Sequence, residues 1–332
     1  MTAAPHRRGQ ARLPKPRGPL SERVFAALAE EHDLPEPSIL AAAVEDTAAE
    51  DRAITLWTLH ELCYRGVAEV GDEREWDPAV VGLRRELERD LEDRLRSRWP
   101  GRPGYAGGPD GFAEAFFAEV EAFEGPSVSR FVHTDASADQ VLELLQLRSI
   151  YHLKESDPVA WAVPRLPGAA RAALMELQYD EYGGGRPERL HAQLFADGLA
   201  AVGLDPTEGA YIDQAPLPVL EQNNAVSLFG LNRRLRGAAL GHLAAFEATS
   251  SGPSRRMAQG MERLGLAEEM RHYYEEHVEA DAVHEQLAVR TICAGLLSAE
   301  PELEDDVWFG AHTCLDLESR LAAYLLDRWG AS

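Results

Sequence analysis

Almost nowhere in this chain does a run of β-branched or aromatic residues stand between turn residues. Ala, Leu, Glu and Arg dominate its 332 residues instead, and all four are strong helix formers. A chain so composed is predicted to be all-α, with one large or two small domains. Periodicity predicts helices over 21–31, 38–45, 46–69 and 78–98. A Gly/Pro-rich connection from Trp99 to Gly111 follows, then a short helix over 112–123. Ser137 and Gln140 have capping-box spacing and open a helix that runs to about Ser156, before Asp157-Pro158. Further helices are predicted over 168–182, 187–202, 216–229, 232–249, 253–264, 267–298 (bent) and 302–326.

Three regions follow from this reading. Residues 1–18 carry Arg7, Arg8, Arg12, Lys15 and Arg17, three prolines and no apolar core, which predicts a disordered basic tail and no secretory leader. Residues 19–125 form a helical accessory layer. Residues 126–332 form a bundle of roughly seven or eight helices.

The 56 acidic residues against 33 basic ones give a net charge of -23, which repels phosphate backbones and excludes nucleic acid as an expected partner. Hydrophobic residues make up 45% of the chain, yet no run approaches the ~18 residues of a membrane span. Cys63, Cys293 and Cys314 are odd in number and form no Cys-x-x-Cys pair, so a reducing, cytoplasmic setting is expected.

Within 267–298, His277, Asp281 and His284 are spaced i,i+4 and then i,i+3. At about 100° per residue they project from one helical face. Two imidazoles and a carboxylate on one face suit iron or manganese better than calcium or magnesium. The other reading is a solvated acidic face. Candidate partners lie upstream. Glu181 precedes three glycines, which permit a tight reversal toward His191. Glu188, three residues before His191, competes with it at the Glu-x-x-His spacing of di-iron bundles. Glu247 lies among Leu243, Ala244, Ala245 and Phe246, where an unpaired carboxylate is costly. Glu155 alone is unremarkable. His152 and Asp157 read as surface groups, and His242 as a structural or exposed histidine.

Taken together, these residues resemble the haem-oxygenase-like di-iron oxidases and oxygenases, the iron-containing redox enzymes. The family's order is a Glu, a His shortly after, a Glu on a middle helix, and a late His-x-x-x-Asp-x-x-His. The resemblance covers about residues 130–330 and implies a haem-oxygenase-like bundle. It implies Glu181, His191, Glu247, His277, Asp281 and His284 as ligands, and favours Glu181 over Glu188 through the gap to His191. Members that oxygenate nitrogen add an early glutamate, which implies Glu155. Four carboxylates, Glu155, Glu181, Glu247 and Asp281, would balance two ferrous ions in a dry core.

The resemblance thus implies two Fe(II) per chain, O2 as co-substrate, and Glu247 and Glu155 in catalytic roles, with Glu247 bridging or nearly so. It implies an oxidase or oxygenase of a small molecule, amino-acid or fatty-acid-like, by N-oxygenation or by C–H oxidation or desaturation, with Glu155 favouring nitrogen oxygenation of an amino-acid derivative. An electron donor and a homodimer are expected as partners. The alternatives are a haem-binding protein, a cofactor-free oxidase or scaffold of the same fold, and a ferritin-like store.

Overall fold

Ser137 sets the start of the helix that leads to the site. Its Oγ accepts from the Gln140 N–H at 3.3 Å, and Gln140 Oε1 accepts from the Ser137 N–H at 2.9 Å. This reciprocal cap satisfies two amides that a helix end leaves open. The computed structural model describes residues 10–30, 47–107 and 109–331, without the side chains of 109, 110 and 279–282. The helix expected over 38–45 lies outside the described residues. Among the described residues every regular element is helical, as the composition predicts. The one β pairing among them is an isolated bridge between Ala11 and Val67.

The helices are α1 (Pro19–Ala29), α2 (Ala49–Glu61), α3 (Pro78–Arg98), α4 (Pro109–Ala122), α5 (Val128–Thr134) and α6 (Ala138–His152). They continue with α7 (Gly168–Glu181), α8 (His191–Ala201), α9 (Leu217–Leu231), α10 (Arg236–Leu264), α11 (Glu268–Gln286), α12 (Ala294–Ala299) and α13 (Glu304–Arg328). Contacts divide the chain into two units, residues 1–97 with 207–225, and residues 98–206 with 226–332. The boundary expected at 125/126 therefore falls at 97/98, and 207–225 groups with the N-terminal part rather than with the bundle.

The first unit buries Val24 and Leu28 of α1, Ile54 and Trp57 of α2, and Leu83, Leu87 and Leu91 of α3. Asp51 and His60 are buried there with partners. Asp51 accepts the Leu20 and Ser21 amides at 3.0 and 2.8 Å. His60 lies 3.1 Å from Glu88 and 3.3 Å from Asn224, and burial lowers its pKa. Helix α2 stops well short of residue 69, and Gly66 follows at φ 78°.

Residues 10–18 correct the expected disordered tail. Ala11 is buried and receives the Ala68 N–H at 2.9 Å. Glu69 accepts from the Leu13 amide at 2.9 Å, and Arg17 donates to the carbonyls of Ala215 and Ile212 at 2.6 and 2.9 Å. The physical reason is that backbone amides and guanidinium donors find fixed acceptors here, which composition alone does not show.

The second unit is built on α10, one continuous helix where two were expected. Pro253 lies inside it. The ring removes the amide that would donate to the Thr249 carbonyl, yet the helix runs through it from Arg236 to Leu264, with the Thr249 and Ser250 hydroxyls donating to the Ala245 and Glu247 carbonyls at 2.7 and 3.1 Å. Gly241 of α10 and Gly310 of α13 permit close packing. A Cβ on Gly241 would run into the Val307 carbonyl, and one on Gly310 into the Ala238 carbonyl. The bend expected within 267–298 is a π-helical stretch, Leu287–Cys293, directly after α11. Such stretches re-register a helix and recur at functional sites.

Replacing Gly241 or Gly310 by Ala forces α10 and α13 apart. Each substitution is expected to lower stability by about 1–3 kcal/mol, read from the denaturant midpoint; an unchanged midpoint would contradict the close approach.

Candidate metal centre

Helix α7 ends on Glu181, and after Tyr182 three glycines turn the chain around. Gly183, Gly184 and Gly185 hold φ values of 70°, 62° and 79°, a region costly for other residues. A Cβ on Gly183 would lie 2.6 Å from the Arg189 carbonyl carbon. The reversal brings His191, the first residue of α8, back to Glu181, with Nδ1 3.1 Å from Oε2. Glu188 is exposed in the single turn Pro187–Arg189, so the geometry selects Glu181.

Helix α6 ends at His152, earlier than predicted, and the turn after it presents Glu155. Glu247 comes from the middle of α10. His277 and His284 come from α11, two turns and about 10.5 Å apart along the axis. These six side chains gather as two trios, Glu155 with His191 and His277, and Glu181 with Glu247 and His284. Within each trio the offered ligand atoms all lie within 4.8 Å of one another. Asp281 lies between the two histidines in α11, and its side chain is outside the described residues.

Glu181 joins the trios. Its Oε2 faces His191 of the first, and its Oε1 is 3.4 Å from His284 Nδ1 of the second. Glu247 Oε2 lies 3.6 Å from the same His284 nitrogen. Glu181 thus faces a histidine of each trio, whereas Glu247, the bridging carboxylate expected above, faces His284. The reason is the glycine reversal, which places α8 against the end of α7.

The surrounding groups fix protons and orientation. His277 Nδ1–H donates to the Tyr273 carbonyl at 2.7 Å, which leaves Nε2 as a lone-pair donor 3.6 Å from Glu155 Oε1. His152, expected at the surface, is buried, with Nδ1 2.7 Å from Glu155 Oε2. A carboxylate only accepts, so His152 donates from Nδ1. The Tyr273 hydroxyl then donates to the same oxygen at 3.0 Å. Ser156 Oγ–H donates to Glu181 Oε2 at 2.8 Å. His242 is buried too, and burial lowers its pKa to about 4, so it is neutral.

Burial alone would push Glu155 up, but the imidazoles of His152 and His277 hold it well below the usual carboxylate range. Glu181 is likewise lowered by His191 against the effect of burial. Burial raises Glu247, with His284 opposing. Burial disfavours charge on His284 as well, yet Glu247 and Glu181 raise its pKa to about 9. The Glu247–His284 pair therefore holds a proton above neutrality. Burial and Glu155 together raise Tyr273, which stays a hydroxyl donor.

A metal ion fits this donor set. His191 Nδ1 and His284 Nδ1 are buried and, despite the close carboxylates, make no aligned hydrogen bond. Buried polar atoms are ordinarily paired. The first trio has the two-imidazole, one-carboxylate composition of non-haem iron sites, and the second is richer in oxygen. Two buried carboxylates, Glu181 and Glu247, with the nearly buried Glu155 beside them, also require positive charge nearby.

A family model described as iron-containing redox enzyme matches residues 142–319, which contain both trios. The chain belongs to the iron-containing redox enzyme family. No curated protein matches the chain. Among solved structures, a CADD-like protein of unknown function from Nostoc punctiforme PCC 73102 is similar at 16% identity, over 73% of this chain and 97% of that one, with a TM-score of 0.47. For this member of the iron-containing redox enzymes, sequence reasoning missed His152, Ser156 and Tyr273 as supports of the carboxylates. Tyr273 carried a signal, since it lies four residues before His277 on the same face. His152 carried one as well, three residues before Glu155, whereas Ser156 carried none, because its partner Glu181 is set by tertiary packing.

Tyr273→Phe removes one donor from Glu155 and should weaken metal binding at the first trio by about 10- to 100-fold. A Tyr273→Phe protein with wild-type metal affinity in an Fe(II) titration would contradict this role. Protonation gives a second test. In the metal-free protein His284 is raised from 6.5 to about 9, so its contribution to stability is full below pH 6.5 and is lost as pH rises through 9. Metal needs the unprotonated nitrogen, so Fe(II) binding should release protons and tighten across that window. Affinity independent of pH, measured by calorimetry in two buffers, would count against the assignment.

Proposed function

We propose that the chain is an O2-dependent non-haem di-iron oxidase or oxygenase acting on a small molecule. The observation that carries this reading is the pair of buried trios joined through Glu181. Glu155, His191 and His277 would hold one iron, and Glu181, Glu247 and His284 the other, with Asp281 added from α11. Bound iron supplies the capacity to reduce O2 and to take electrons from a C–H or N–H bond.

The chain's own residues do the rest. Tyr273 and His152 hold Glu155 in one orientation, and Ser156 holds Glu181. Burial of the ligands keeps bulk water away from the reacting atoms. A second cavity, about 320 Å³, is lined in part by His152, Phe246 and Tyr274. That size suits a small molecule. Phe246 also lines the metal cavity, which supports entry of substrate from that side. An amino-acid derivative remains the substrate class that Glu155 favours, with an external electron donor. The carboxylate-rich ligand set argues against haem as the occupant.

Anaerobic titration with Fe(II) is expected to end at two irons per chain, and rapid mixing with O2 to give a transient visible band. Glu181→Ala should lose iron at both positions, whereas Glu247→Ala should lose it at one. One iron per chain in the wild type, or full iron in Glu181→Ala, would overturn the reading.

A further inference from the structure

Gln178 precedes Glu181 by three residues in α7, so the two side chains share a face. Gln178 is 4% exposed. It lines the metal cavity together with Glu155, Ser156, Glu181, Glu247 and His277. Neither its Oε1 nor its Nε2 has a hydrogen-bond partner among the described residues. A buried carboxamide with both ends unsatisfied costs about 1–3 kcal/mol per group. Leucine would fill the same volume, beside the buried Leu174 and Leu177, at no such cost. The carboxamide is tolerable where something inside the cavity engages it.

The cavity limits what that can be. It measures about 20 Å³, room for about one water-sized group. The carboxylates around it accept hydrogen bonds and donate none. Ser156 already donates to Glu181 at 2.8 Å. A small ligand with lone pairs would therefore find carboxylate oxygens on several sides, and needs a donor; Tyr151 also lines the cavity, but among the lining residues it is Gln178 whose buried polar atoms have no partner. The Gln178 Nε2–H supplies one. The amide is also neutral, so it leaves the balance between carboxylates and metal charge undisturbed.

We infer that Gln178 is the hydrogen-bond donor to the exchangeable small ligand of the metal centre. The ligand class is a dioxygen-sized molecule or anion with an accepting terminal atom. This rests on the di-iron reading above. Gln178 binds the exchangeable ligand, and the metal ions are held without it.

Azide is the probe. Wild type, Gln178→Leu and Gln178→Glu are loaded with iron, oxidised in air and titrated with azide, following the azide-to-iron charge-transfer band. Iron per chain is measured on the same samples. Thermal unfolding of the metal-free proteins is recorded in parallel. The expected result is unchanged iron in Gln178→Leu, with azide binding weakened about tenfold, equivalent to about 1.4 kcal/mol. Gln178→Glu should bind azide at least as weakly, because its oxygens cannot donate and repel the anion. Metal-free Gln178→Leu should melt at the wild-type temperature or above. Full iron with unchanged azide affinity in both variants would overturn this inference and leave the di-iron reading standing. A melting temperature lowered by several degrees in metal-free Gln178→Leu would also overturn it, since the carboxamide would then be a structural group. A wild type that takes up no iron would overturn the di-iron reading itself, and the role of Gln178 with it.

Discussion

Three carboxylates, Glu155, Glu181 and Glu247, line one cavity in the helical core of the second unit, Glu181 and Glu247 buried and Glu155 nearly so. Their mutual repulsion and the cost of removing them from water are the constraint on which the rest of the second unit depends. Neutral hydrogen bonds do not offset such a cluster. The imidazoles of His152, His191, His277 and His284 offset part of it, and Glu247 and Glu181 raise the pKa of His284 to about 9. The cluster thus draws positive charge, a proton in the metal-free protein.

Helix packing turns that requirement into geometry. Gly241 and Gly310 let α10 and α13 approach closely, so Glu247 is carried on a helix packed tightly on both sides. The three glycines after Glu181 fold α8 back on α7, which is why a histidine ten residues away meets that carboxylate. The π-helical stretch Leu287–Cys293 begins three residues after His284 and packs against α7. Ligands are thus delivered by a helix end, a turn, a helix start, a helix middle and one helical face.

The parts of the site that the sequence made legible are the parts set by local rules. His277 and His284 share a face because they share a helix, and Glu181 and His191 meet because glycine permits the reversal. Glu247 stood out because a carboxylate among apolar neighbours must answer for its burial. Glu155 was reachable only through family resemblance, since its partners Tyr273 and His277 come from tertiary packing. The role between the trios went to Glu181, not Glu247, because bridging depends on distances between helices and not on spacing within one. The same distinction explains the fold. Helix content followed from composition, whereas Pro253 read as a break where α10 runs through it. Residues 10–18 read as a tail where fixed acceptors hold them. Gln178 passed unnoticed because an amide becomes informative only when its missing partners are seen.

The central claim is that the two trios hold two metal ions with Glu181 between them. Diffraction from crystals of the iron-loaded protein, measured at the iron absorption edge, tests it most directly. Two anomalous peaks per chain are predicted, one among Glu155, His191 and His277 and one among Glu181, Glu247 and His284. A single peak, or peaks away from these side chains, would contradict the account.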